Sequence, residues 1–194
     1  MRKSRQESAE TRRHIVATAA VEFRRHGIHG TGLADLMSAA GLTHGGFYKH
    51  FDSKEHVVQE SLTLAAETMR ARMAATLAST PGKRGLHAAI TNYLSMKYRD
   101  DVTPGCPFVA VGGEVARATG PVRAAMTAGF SKMVDLIAGR LEGISPAAAR
   151  NTALTILSAM VGAATMARMV TDENLAAAIL EQTRKHLIRM TDGR

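Results

Sequence analysis

The sequence has few of the residues that are typical of secreted or strand-rich proteins. Among its 194 residues are one cysteine, no tryptophan and only eight Phe or Tyr, beside eleven methionines. One cysteine permits no intrachain disulfide. Few aromatic residues in an alanine-rich and methionine-rich chain favour helices over strands. We therefore expect an all-α protein with almost no sheet.

Long apolar segments are also scarce. The first ten residues, MRKSRQESAE, lack the apolar core of a secretory signal, which predicts a cytoplasmic location. Residues 151–167 carry no charge, but four Ser or Thr interrupt them, and their length is at the lower limit of the roughly 17 to 25 residues of a membrane-spanning helix. We expect a buried helix there and no membrane partner.

Common catalytic motifs are missing from the sequence. Eight histidines and seventeen acidic residues are present, yet there is no HExxH, no phosphate-binding loop and no nucleophile motif. His50 and His56 are six residues apart, a spacing with no ready metal geometry. We expect no enzymatic activity, no bound metal and no cofactor. A histidine-based metal sensor is kept as an alternative.

The net charge of +8 suits a polyanionic partner, but its distribution weakens that argument. The first sixty residues hold nine Lys or Arg against seven Asp or Glu, a net of +2. Five basic residues nevertheless crowd the start of the chain, where they form either a flexible arm that reaches DNA phosphates or a solvated tail. These are Arg2, Lys3, Arg5, Arg12 and Arg13.

Two short helical patterns meet at a glycine within residues 31–56. The first has one apolar stripe at i, i+3, i+4, i+7, formed by Leu33, Leu36, Met37 and Ala40. Gly41 can take the left-handed conformation that ends a helix, and Thr43 is expected to cap the next one. In that second helix, Phe47 and Phe51 share a side at i, i+4 and are expected to face inward. The pattern predicts a helix-turn-helix.

The opposite side of the second helix predicts a DNA contact, because N-terminal residues of such helices meet base edges while flanking groups hold phosphates. His44, Gly45 and Gly46 are assigned to base edges. Phosphate contacts are expected from Thr31, Thr43, Tyr48, Lys49, His50 and Lys54, and Gly32 adjoins this set at the start of the first helix.

These residues resemble the TetR-type bacterial transcriptional regulators. The matching motif comprises Gly30-Thr31, Ala40-Gly41, Thr43, Gly45, Phe47-Tyr48-Lys49-His50-Phe51 and Ser53-Lys54-Glu55. It covers about the first third of the chain, and the rest matches only in length and helical character. Gly32 departs from the Thr or Ser often found there, so a phosphate contact and a helix cap are expected to be weaker. His44 also departs, so the operator sequence does not carry over.

Apolar periodicity predicts about nine helices, with a helix-turn-helix domain at 8–60 and a ligand-binding and dimerisation domain at 61–194. The first helix is expected at Thr11–His26, and a fourth helix, capped by Asp52 or Ser53, is expected to join the two domains. The helix from Pro146 to about Val170 has small residues four apart. The resemblance implies that it and the last helix, with their symmetry mates, form a four-helix dimer interface; the sequence alone also allows both to be ordinary core helices.

The second domain is larger than DNA binding requires, which predicts a cavity for a small-molecule inducer. Its candidate lining residues are Met69, Met73, Tyr93, Phe108, Met126, Phe130 and Met160, each of which also suits plain core. Glu114 is a candidate polar group, or else a solvated carboxylate. Cys106 precedes a predicted helix whose amides can activate a thiol for redox or electrophile sensing, although a small buried residue is the simpler interpretation.

Together these features predict a ligand-responsive transcriptional regulator of double-stranded DNA that acts as a homodimer. The resemblance favours a repressor that a small molecule or an electrophile releases from a palindromic operator. The alternatives are the metal sensor and a nonspecific DNA-binding protein, which would show no preference for an operator over random DNA.

Overall fold

Helices account for all the regular structure in the computed structural model, which describes residues 5–101 and 105–192. The predicted all-α class is therefore confirmed for this part of the chain. A 3-10 helix, His44–Lys49, and nine α-helices are present there. The α-helices are α1 (Arg5–His26), α2 (Leu33–Ala39), α3 (Lys54–Ala78), α4 (Lys83–Tyr93), α5 (Met96–Asp100), α6 (Pro107–Val115), α7 (Gly120–Ala138), α8 (Pro146–Met169) and α9 (Glu173–Asp192).

Capping residues and prolines fix where several helices begin. Ser53 caps α3, since its side chain accepts a hydrogen bond from the His56 amide at 3.2 Å, and Ser145 caps α8 in the same way. Proline stands in the first turn of α6, α7 and α8, where no amide hydrogen is needed. The short α5 was not predicted, because five residues are too few to show a helical period.

Two apolar clusters form the interior, and α3 contributes to both. The first, here called the N-terminal cluster, joins α1, α2, the 3-10 helix and the start of α3. It also includes Val111 and Val115 from α6 and Val122 and Met126 from α7. The second cluster contains the rest of α3 with α4, α8 and α9. The proposed boundary at residue 60 falls inside α3, which is thus the long shared helix that the sequence predicts.

Helix α8 is the one helix in the described residues that is long and apolar enough to cross a membrane, with a mean hydropathy of 1.3. Its buried side, which includes Ile156, Leu157 and Met160, belongs to the second cluster. Helices α7 and α9 pack against it. It is therefore a core helix of this fold, as the sequence predicts.

Candidate nucleic-acid interface and ligand cavity

A sharp turn at Gly41 connects α2 to the 3-10 helix. Gly41 has a φ of +68°, in the left-handed region that side chains with a Cβ rarely adopt. The Leu42 amide donates to the Met37 carbonyl at 2.8 Å, and the Gly41 amide donates to the Ser38 carbonyl at 2.9 Å. This pair of bonds is a Schellman motif, which satisfies the last carbonyls of α2. The predicted glycine corner of a helix-turn-helix is present.

The segment after the turn, His44–Lys49, is a 3-10 helix and is called the recognition segment below. Thr43 stands at its N-cap position in extended conformation, but its side chain makes no capping hydrogen bond, so the predicted cap is wrong in this respect. The Thr43 carbonyl instead accepts from the Gly46 amide at 2.9 Å. Consecutive glycines favour α-helix poorly, which is consistent with this tighter geometry.

Aromatic side chains anchor the recognition segment. Phe47 is fully buried and stacks on Phe51, with 5.5 Å between ring centroids. Tyr48, the next residue, is 64% exposed and lies edge-on to Phe47 at 5.3 Å. One ring therefore fixes the segment to the N-terminal cluster while its neighbour is presented to solvent. The predicted inward side, with Phe47 and Phe51, is the one observed.

The outer side of the recognition segment gathers most of the predicted DNA contacts. Thr43, His44, Gly45, Tyr48 and Lys49 are all exposed. The His44 and Tyr48 rings lie 6.4 Å apart in an edge-on arrangement. Gly46 and His50 are half-buried at the edges of this surface. The surface combines a small backbone profile with aromatic and basic groups, which suits close approach to a nucleic-acid groove.

Three of the predicted contacts lie elsewhere. Thr31 is only 3% exposed, and its hydroxyl donates to the Gly27 carbonyl at 2.8 Å, so its expected phosphate contact is wrong for this conformation. Lys54 is half-buried, and its ammonium donates to the Ile28 carbonyl at 2.6 Å, which ties α3 to the α1–α2 turn. Gly32 stands at the N-cap of α2, and no side-chain hydrogen bond caps the helix, in line with the weaker cap expected there.

Arg12 holds helices together rather than extending as a flexible arm. Its guanidinium forms a two-pronged ion pair with Glu60 of α3, lies 4.5 Å from the Phe51 ring centroid and donates to the His50 carbonyl at 3.2 Å. Its hydrogen bonds hold the pKa of the Glu60 carboxyl below the ordinary value. Arg5 is the first residue of α1, whereas Arg2 and Lys3 lie outside the described residues.

Glu114 near the end of α6 binds the turn between α1 and α2. Its carboxylate accepts hydrogen bonds from the Ile28 amide at 3.0 Å and the His29 amide at 2.8 Å. It also lies against Gly27, whose φ of +79° shapes the turn. Neither sequence interpretation of Glu114, a ligand contact or a solvated carboxylate, is correct. The contact joins residues more than eighty positions apart, which no local pattern reveals.

A cavity of about 310 Å³ opens between α3, α4 and α5. Three predicted lining residues, Met69, Met73 and Tyr93, are on its wall. The sequence analysis missed its polar lining, which comes largely from the unpredicted α5 and its flanks. The remaining lining residues are Arg72, Thr76, Ala89, Asn92, Ser95, Lys97, Tyr98 and Asp101.

The other four predicted lining residues are core residues outside this cavity. Met160 is buried in the second cluster, and Met126 is buried in the N-terminal cluster. Phe108 and Phe130 pack edge-to-face on each other, with 5.6 Å between ring centroids. These four residues do not line this cavity, because apolar character alone does not distinguish a cavity wall from a packed interior.

Cys106 is fully buried at the N-cap of α6, beside Tyr93 and Tyr98. Burial raises the pKa of its thiol, and this effect outweighs the backbone amides of Phe108 and Val109, which lower it. Burial therefore opposes the predicted thiol activation. Burial also raises the pKa of Tyr93, and the neighbouring Cys106 thiol raises it further.

A glycine-cornered pair of short helices with an exposed second segment, followed by a helical domain with a cavity, defines a helix-turn-helix DNA-binding protein. Residues 15–60 match the bacterial regulatory proteins of the tetR family, and residues 83–182 match the C-terminal domain of LmrA/YxaF-like transcriptional regulators. The second match alone spans 100 of the 194 residues. The chain belongs to the TetR family of bacterial transcriptional regulators, a family of regulators rather than of enzymes.

Individual relatives agree with this assignment. The chain is 29% identical over 169 residues to the HTH-type transcriptional regulator Rv0196 of Mycobacterium tuberculosis, with 83% of this chain and 86% of that protein covered. It is similar to the structure of a TetR transcriptional regulator from Chloroflexus aurantiacus, with a TM-score of 0.78, 28% identity and 95% of each chain covered. The reduced form of Escherichia coli NemR shares the fold, with a TM-score of 0.78, 24% identity and coverage of 92% and 95%.

The metal-sensor alternative finds no support in the described residues. Within 5–101 and 105–192, no three His, Cys, Asp or Glu side chains are grouped so that they could hold a metal ion. His56 instead pairs with Glu60 at 2.9 Å and with Asp52 at 3.6 Å. His56 is therefore part of the ion-pair network around Arg12.

Proposed function

We propose that the protein is a cytoplasmic, ligand-responsive repressor that binds a near-palindromic operator as a homodimer. A small molecule in the cavity between α3, α4 and α5 releases it from DNA. The observation that carries the proposal is the recognition segment, in which buried Phe47 fixes the backbone and His44, Tyr48 and Lys49 are exposed together. Family membership supports a DNA-binding role for this surface.

The roles of the exposed residues follow from their chemistry. His44, with the small Gly45 and Gly46, is assigned to base edges, because the imidazole can donate and accept hydrogen bonds and the glycines allow close approach. Tyr48 and Lys49 are assigned to phosphates, as are Thr43 and His50 at the two ends of the segment. Base contacts then set the operator sequence, and phosphate contacts set the orientation on the duplex.

A dimer is supported by the outer side of α8 and α9. Leu154, Met166 and Met169 on α8 and Leu175 on α9 are large apolar residues that are exposed in the single chain. Small residues lie between them on α8, including Gly162, which allows another helix to approach closely. Pairing two copies covers these side chains and brings together two recognition segments, so that the second DNA contact becomes intramolecular.

A physical route connects the cavity to the DNA-binding surface. Tyr93 and Tyr98 line the cavity and lie beside Cys106 at the start of α6. Near the other end of this nine-residue helix, which is about 13 Å long, Glu114 holds the α1–α2 turn. A ligand that displaces the start of α6 would move this turn, and it releases DNA only if it binds the displaced arrangement more tightly.

The test is genomic pull-down sequencing, followed by fluorescence anisotropy with the enriched site and with random DNA at fixed salt. We expect one enriched palindrome. His44→Ala should weaken operator binding by about 1–3 kcal/mol and relax the preference for one base. Lys49→Gln should weaken binding to all duplexes alike and reduce the salt dependence of binding by about one counterion. Arg84→Gln, an exposed charge change on α4, is the control and should bind as wild type. Equal affinity for operator and random DNA would overturn the proposal.

Electrophile release through Cys106 is the second inducer hypothesis. Because the thiol here is buried, a noncovalent ligand is the preferred inducer. To separate the two hypotheses, wild type and Cys106→Ser are alkylated and the operator affinity of each is measured. Loss of affinity in wild type alone supports the thiol hypothesis, and equal loss in both proteins eliminates it.

A further inference from the structure

The cavity between α3, α4 and α5 has an apolar interior and a basic rim. Met69, Met73, Ala89 and Tyr93 are buried and form the interior wall. Arg72 and Lys97 are exposed lining residues and Asp101 is an acidic one, so the charged side chains among the described lining residues sum to +1. Such a surface favours a ligand that is apolar at one end and anionic at the other.

The dimensions of the cavity favour a small, flat ligand. Its volume of about 310 Å³ lies at the lower end of the roughly 300–1,000 Å³ of small-molecule sites. The rings of Tyr93 and Tyr98 are 4.7 Å apart and tilted by 33°, and methionine side chains lie on the same wall. Aromatic rings and thioethers together make favourable contacts with the faces and edges of a planar ring.

We propose that the inducer is a one-ring or two-ring aromatic carboxylic acid. Its carboxylate meets Arg72 and Lys97 at the rim, and its ring packs between the methionines and the tyrosines. This inference rests on the proposed function only in calling the acid an inducer, because binding of the acid to the protein can be measured without DNA.

Calorimetric titration of the full chain tests the charge preference. The probes are 6-hydroxy-2-naphthoate and 4-hydroxybenzoate, with 2-naphthylmethylammonium and 2-naphthalenemethanol as cationic and neutral counterparts. We expect at least one of the two acids to bind at least about tenfold more tightly than both counterparts, and Arg72→Gln and Lys97→Gln each to weaken it by about tenfold. Arg84→Gln, which removes a charge from α4 outside the cavity, should bind as wild type.

Tighter binding of the ammonium or the alcohol than of the acids, or no binding of either acid, would overturn the inference.

The two proposals fail in different ways. A protein that discriminates its operator but does not bind the acids remains a regulator, and only the inference falls. A protein that binds the acids with the expected preference but does not discriminate among duplexes keeps the binding site and loses the regulatory role. Operator release by a bound acid supports both.

Discussion

At the scale of single residues, Glu114 is a charged side chain held by backbone amides of another domain. Its carboxylate accepts from Ile28 and His29, and it is only 22% exposed. Hydrogen bonds to a charged acceptor are stronger than those between neutral groups, and solvent screens them less where the acceptor is partly buried. The contact therefore stabilises the position of the α1–α2 turn.

We predict that Glu114→Gln lowers the free energy of unfolding by about 1–3 kcal/mol, because the amide group has only one acceptor oxygen and presents N–H donors where a second acceptor is needed. Urea denaturation measures the change. Glu142→Gln, at an exposed position in the α7–α8 connection, is the matched control and should leave stability unchanged. A loss of the same size in both variants would contradict the role given to Glu114.

The Arg12–Glu60 pair predicts a pH-dependent stability. Arg12 holds the pKa of Glu60 below the ordinary 4.5, so the carboxylate stabilises the fold above that pH, and the stabilisation is lost as pH falls through the folded-state pKa. Denaturation below pH 4.5 should show a shallower loss of stability in Glu60→Gln than in wild type. Glu67→Gln, from the exposed pair with Lys132, should keep the wild-type slope, and identical slopes in all three proteins would contradict the prediction.

For single residues, the local sequence pattern predicted which side chains are buried better than it predicted their hydrogen-bond partners. The i, i+4 spacing of Phe47 and Phe51 predicted which side of the recognition segment is buried, since helical geometry fixes that choice. Helix-turn-helix docking assigned Thr31 to a phosphate, because a motif cannot show that the hydroxyl bonds to the Gly27 carbonyl one turn earlier. The partners of Glu114 were missed for a similar reason, since they come from a distant part of the chain.

At the scale of elements, Gly41 sets the angle between α2 and the recognition segment through backbone conformation alone. No atom lies within 4 Å of where its Cβ would be, so a substitution there meets no steric clash. The left-handed φ is the whole constraint.

We predict that Gly41→Ala destabilises the protein by roughly 1–2 kcal/mol, the cost of left-handed backbone for a residue with a Cβ. Gly113→Ala, at a helical position in α6 that is also free of nearby atoms, should instead stabilise by roughly 0.5–1 kcal/mol. Thermal unfolding of both variants gives the comparison. A shift of the same sign in both would show that conformation at Gly41 does not control this turn.

Apolar periodicity predicted the long helices and the seven-residue α2, but not α5. Helices of ten or more residues show their period plainly, and the caps and prolines marked several of their first residues. The five-residue α5 has no period to read, and it supplies much of the polar cavity lining. The sequence therefore predicted a cavity and three of its lining residues, but it did not predict the charged groups that α5 contributes.

At the scale of the whole molecule, the proposed dimer makes a prediction about oligomeric state. Met166 and Met169 on α8 are 44% and 67% exposed in the single chain. Placing a charge at both, in Met166→Glu/Met169→Glu, should yield monomers and weaken operator binding at least about tenfold, because burying unpaired carboxylates at an interface is unfavourable and the two-site contact is lost. Sedimentation analysis measures the first effect and anisotropy the second.

Leu64→Glu is the control for this prediction. Leu64 is a large apolar residue that is 37% exposed on α3, away from α8 and α9, so this variant should remain a dimer. Dissociation of both proteins, or of neither, would argue against an interface formed by α8 and α9.

The N-terminal cluster is completed by Val111 and Val115 of α6 and Val122 and Met126 of α7. Chimeric regulators made by joining one family member's first sixty residues to the remainder of another would leave these four side chains facing an unmatched surface. A graft that also transfers α6 and the first half of α7 preserves the native packing. The unit that can be exchanged between such proteins is therefore discontinuous in sequence, although the operator-binding residues themselves are contiguous.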